Sequence, residues 1–71
     1  MLGEELRRAR EQAGMTQERL SLESGVSRQY ISDLEHDKKS PTVETLLRLC
    51  EAMGTSAADI IRRVERDRRR S

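Results

Sequence analysis

Two long hydrogen-bonding side chains, Arg28 and Gln29, follow a serine, Ser27, that is suited to cap a helix. At the exposed start of a helix such a pair does one kind of chemistry well. A guanidinium grips guanine O6 and N7 with two hydrogen bonds, and a carboxamide does the same for adenine N6 and N7. The Ser27 hydroxyl can join them, unless capping its own helix occupies it. Tyr30 follows, and can donate to a phosphate or pack on the rim of the same surface. Asp33 lies one turn further on, where phosphates repel a carboxylate. It can accept from cytosine N4, fix a neighbouring basic side chain, or reject unwanted sites. Lys38, Lys39 and Ser40 come next and suit phosphate oxygens, which carry affinity and register rather than sequence information. His36 is expected in the loop beside them. No nucleophile–base pair, phosphate-cradling glycine loop or metal-ligand spacing is present, so the chain is expected to be no enzyme and to hold no cofactor.

The elements that must hold these groups are legible from apolar spacing. Leu2, Leu6, Ala9, Arg10 and Ala13 recur at helical intervals, and Gly14 ends this first helix at a C′ position. Thr16 is an N-cap for a second helix, which turns Leu20 and Ser21 inward and stops at Ser24–Gly25. The third runs from about Arg28 to Glu35 on an apolar skeleton of Ile31 and Leu34. Pro41 closes a polar loop and Thr42 caps a fourth helix, whose apolar residues are Val43, Leu46, Leu47, Leu49, Cys50 and Met53. Gly54 ends it, Ser56 caps a fifth helix with Ile60, Ile61 and Val64, and residues 67–71 should fray as a basic tail. No run alternates with period two. The expectation is an all-α, five-helix domain over residues 1–66, with a helix-turn-helix at its second and third helices.

Composition narrows the class. Seventy-one residues make one domain with little apolar surface to bury, and Tyr30 is its one aromatic residue. The formal net charge is +1, yet six arginines face three acids in residues 55–71, a local excess of +3. Binding to DNA would therefore rest on the placement of a few groups rather than on bulk attraction. A single cysteine, Cys50, cannot form an internal disulfide and is expected to be a buried, inert thiol. No apolar run approaches the roughly 18 residues of a membrane span. Glu4 and Glu5 stand where a signal peptide would be apolar, so a soluble cytoplasmic protein without a membrane partner is expected.

In order along the chain come Arg10, Thr16-Gln17, Leu20, Gly25-Val26-Ser27, Ile31 and Leu34-Glu35. Ser40-Pro41-Thr42, Thr45-Leu46, Leu49 and Met53-Gly54 follow. Together they resemble the Cro/repressor-type, lambda-repressor-like helix-turn-helix family, from about Leu2 to Val64. The resemblance implies a compact five-helix DNA-binding domain and a sequence-specific transcriptional regulator. It implies that Gln17 clamps a backbone phosphate, and that Arg10 and Glu35 form an ion pair tying the first helix to the recognition helix. Two positions depart from the family pattern. Ser21 stands where Ala or Gly is usual, and Asp37 where Gly often follows the recognition helix. A single short recognition helix reads few base pairs, so a homodimer on a (pseudo)palindromic operator is expected. With no further dimerisation or effector domain expected, Ile60, Ile61 and Val64, with the tail of the fourth helix, are the expected dimer contacts unless they simply close the core. This minimal form resembles the controller proteins of restriction–modification systems and small phage regulators. The alternative is an antitoxin-like module that blocks a partner protein.

Overall fold

Five helices follow one another: α1 (Leu2–Gln12), α2 (Gln17–Ser24), α3 (Arg28–Glu35), α4 (Val43–Met53) and α5 (Ala57–Arg70). They are seen in a computed structural model that describes residues 1–70, and no strand occurs among those residues. Local chemistry sets the boundaries. Thr16, Ser27 and Thr42 each accept at the side-chain oxygen from the N–H three residues on, at 3.0, 3.1 and 3.1 Å. Each thereby satisfies a donor that its helix leaves open. Gly25 ends α2 at φ +76°, with its N–H donating to Ser21 O. A Cβ there would meet nothing within 4 Å, so the dihedral rather than crowding calls for glycine.

The end of α3 is built differently. Lys38 N–H donates to Asp33 O at 2.9 Å and Asp37 N–H to Leu34 O at 3.1 Å, the paired bonds of a Schellman motif. Its left-handed residue is Asp37, at φ +56°. Asp tolerates that region through its short polar side chain, and here the side chain has a second use. Oδ1 accepts from Gly3 N–H at 2.9 Å and Oδ2 from the Met1 amino group at 3.0 Å. The first turn of α1, which has no side-chain cap of its own, is thus capped from the far end of α3.

In the packing, α1 lies on α3 and α5, α2 lies on α3 and α4, and α4 meets α5. Leu6, Ala9, Leu20, Val26, Ile31, Leu34, Leu46, Leu49, Cys50, Met53 and Ile60 form the shared core. Ile31, Leu34, Leu49 and Ile60 are the largest fully buried side chains, each worth about 1.5–3 kcal/mol of burial. Gly3 allows α1 to reach α3. A Cβ at that position would stand 2.5 Å from the carbonyl oxygens of both Leu34 and Glu35.

Exposure departs from the apolar spacing at several positions. Val43 and Leu47 are 74% and 52% exposed, because the neighbours of α4 cover only the stripe of Leu46, Leu49, Cys50 and Met53. Ala13 is the exposed C-cap of α1 rather than part of its buried stripe. The fifth helix continues through Arg70, past the expected domain boundary at residue 66; Ser71 lies outside the described residues. The last turns hold a Glu65–Arg69 pair at 3.8 Å in the favoured i,i+4 order, and arginines gather where the helix dipole welcomes cations.

Candidate nucleic-acid interface

What positions α3 is a hydrogen-bonded brace behind it. Arg10 Nε donates to Glu35 Oε2 at 2.7 Å, and Arg10 Nη2 to Glu35 Oε1 at 3.1 Å. The remaining Nη1 donates to Met15 O at 2.8 Å, tying the α1–α2 turn to the same guanidinium. Only 3% of the Glu35 side chain and 12% of the Arg10 side chain are exposed. The hydrogen bond to Glu35 raises the Arg10 pKa further above its ordinary value, and burial offsets part of that. Gln17 joins the brace: its Nε2 donates to Glu35 Oε1 at 3.1 Å. Its half-buried amide therefore has one N–H and its oxygen left for any outside partner.

On the outer side of α3, the first turn is open. Ser27, Arg28 and Gln29 are exposed while Ile31 and Leu34 are buried. The Ser27 oxygen accepts from Tyr30 N–H, leaving its O–H as a free donor. Among the described residues Arg28 has no hydrogen-bond or ion-pair partner, so its five donors face solvent. Gln29 is engaged: its Nε2 donates to Asp33 Oδ1 at 3.1 Å. Asp33 Oδ2 lies 3.6 Å from Lys39 Nζ, and that ammonium sits 5.5 Å from the centroid of the Tyr30 ring. Asp33, Lys39, Tyr30 and Gln29 thus form one cluster. Of the roles weighed for Asp33, fixing a neighbouring basic side chain is the one the unbound protein displays. Lys38 and Ser40 remain exposed beside it, and His36 Nδ1 turns back to Ser32 O at 2.8 Å.

The dimer candidates divide. Ile60 is 0% exposed and closes the core, so it has no surface to offer a second copy. Ile61 is 49% exposed and Val64 half-buried. Sequence spacing passed over Val43 and Leu47 as a surface because they share a helix with true core residues. It also gave Gly3 no role, although a glycine inside a helix costs about 1 kcal/mol against alanine and is itself a signal of close approach. Among the described residues no group of side chains could hold a metal ion, and no helix is long and apolar enough to cross a membrane.

Comparison with known proteins agrees with this geometry. Residues 6–60 match a family model described as helix-turn-helix, of the Cro/C1 type. An uncharacterised HTH-type transcriptional regulator of Sinorhizobium fredii, y4dJ, is 39% identical over 61 residues, 86% of this chain and 79% of that protein. The clp gene regulator ClgR of C. glutamicum superposes with a TM-score of 0.80 at 40% identity, covering 84% of this chain and 78% of that one. The restriction–modification controller protein C.AhdI of Aeromonas hydrophila also gives 0.80, at 27% identity, covering 83% and 89%. The chain spans 35% to 42% of the length of other curated regulators and repressors that it matches. These relatives are transcriptional regulators, not enzymes.

Proposed function

The chain belongs to the Cro/C1-type helix-turn-helix family of DNA-binding transcriptional regulators, and from that premise we propose that it reads a specific duplex sequence with α3 in the major groove. The observation that carries this is the open first turn of α3. Arg28 stands exposed beside Gln29, without a partner among the described residues, on a helix braced from behind by Arg10 and Glu35. In this reading Arg28 takes a guanine and Gln29 an adenine. The spare N–H of Gln17, the Ser27 hydroxyl, Tyr30, Lys38, Lys39 and Ser40 hold the flanking phosphates. The protein acts in the cytoplasm as a homodimer on a (pseudo)palindromic operator, with two half-sites about one DNA turn apart. Exposed Val43, Leu47 and Ile61, on the adjoining helices α4 and α5, supply apolar surface for the second copy.

Selection of bound sequences from random duplex DNA tests the reading, with the parent, Arg28→Ala and Gln29→Ala in parallel. The parent should enrich a two-fold symmetric motif, and each variant should lose preference at a different position of each half-site. An identical motif from all three proteins would defeat the assignment of base readout. Sedimentation at tens of micromolar tests the dimer, and a monomeric mass there would count against it.

A further inference from the structure

Resting on that reading, we infer that Asp33 is a positioning residue: it fixes the carboxamide of Gln29 for adenine and against guanine, because it can accept a hydrogen bond and cannot donate one. The two residues are one helical turn apart and joined by the 3.1 Å bond from Gln29 Nε2 to Asp33 Oδ1. A carboxylate can only accept, so the amide nitrogen must face it, and the two ends of the amide are no longer interchangeable. The carboxylate is itself held. Its side chain is only 16% exposed, and Lys39, perched over the Tyr30 ring, lies 3.6 Å from the other oxygen. That ammonium also offsets the negative charge on the helix that must approach phosphates.

The base preference follows from counting donors and acceptors. An amide nitrogen carries two hydrogens. With one bound to Asp33, Gln29 presents one N–H and the carbonyl oxygen, a donor beside an acceptor. Adenine offers the complement in the major groove, an acceptor at N7 and a donor at N6. Guanine offers two acceptors, N7 and O6, so the fixed amide would set its own oxygen against O6. A freely rotating amide could turn both hydrogens toward guanine instead. Asp33 therefore converts a tolerant side chain into a discriminating one without touching a base.

The test is made at the operator position where Gln29→Ala relaxes the selected motif, by titrating duplexes that carry A or G there. The parent should prefer A by about tenfold or more. Asp33→Ala should reduce that preference several-fold while binding unrelated DNA more tightly, because a negative charge has gone. Asp33→Asn gives the position a donor as well as an acceptor, and with its oxygen drawn to Lys39 the new amide nitrogen can face Gln29 and turn it, so the preference for A should fall as in Asp33→Ala. Asp33→Leu, of similar shape and without an acceptor, repeats the deletion should the alanine variant lose its helix content by circular dichroism. Parental discrimination in both deletion variants, or in Asp33→Asn, overturns the inference and leaves α3 as the reader. A parent that selects no motif, or a Gln29→Ala variant with an unchanged motif, overturns the inference together with the reading beneath it.

Discussion

Replacing Arg10 by alanine removes three hydrogen bonds, two to Glu35 and one to Met15 O. Glu35 is then left with a side chain that is 3% exposed in the parent, and with Gln17 Nε2 at 3.1 Å as its one remaining side-chain partner. Breaking one partner of a buried ion pair costs about 3–5 kcal/mol. Arg10 is itself 12% exposed, so water can reach part of the vacated space, and the expected loss is at the lower end, about 3 kcal/mol. A domain of this length commonly has roughly 4–11 kcal/mol in all. At about 4–8 °C per kcal/mol, the melting temperature should fall by roughly 12–24 °C in far-ultraviolet circular dichroism. The double variant Arg10→Met with Glu35→Met removes both charges and should melt above either single variant. Operator affinity near the new melting point should follow the folded fraction. A single variant melting within about 3 °C of the parent would refute the reasoning, as would a double variant whose loss equals the sum of the singles.

Three further outcomes follow from the same structure. Gly3→Ala places a Cβ against two backbone carbonyls at 2.5 Å, so α1 must shift off α3 at a cost of about 1–3 kcal/mol in urea unfolding; an unchanged midpoint would show that the contact yields freely. Burial raises the Cys50 thiol pKa, and the residue is 2% exposed, so alkylation at mildly alkaline pH should be slow until denaturant is added. A native rate equal to the unfolded rate would contradict that. Asp37 is held below the usual carboxylate range by the Met1 amino group first and by Gly3 N–H second. Its stabilising contribution is therefore complete above the unfolded value of about 3.9 and fades as the pH falls through the lower folded value. Asp37→Asn should flatten this part of the acid unfolding curve, and an acid limb of unchanged steepness would argue that the tie is not formed in solution.

Helix boundaries were legible because their causes are local. Thr16, Ser27 and Thr42 each cap within three residues of themselves, and Gly25 answers a dihedral requirement that no distant residue alters. The exposure of Arg28 and Gln29 was legible for the same reason, since they follow the Ser27 cap at the start of a helix whose Ile31 and Leu34 pack inward. The apolar residues of α4 do not all lie in the core. Spacing shows that Val43 and Leu47 lie on the helix, but only the positions of α2 and α5 decide which stripe they cover.

What the sequence determined by itself is therefore the inventory: five helices, a turn at Gly25, and a helix start that exposes an arginine and a glutamine. The tertiary structure decided which groups remain available. It buried Ile60, drew Gln17 into the Arg10–Glu35 brace, and used Asp37 to cap a helix more than thirty residues away. It also brought Lys39 back over Tyr30 and onto Asp33 through the Schellman turn. Hydrogen bonds between residues far apart in sequence depend on where whole helices dock, and docking is the one term that no local pattern contains.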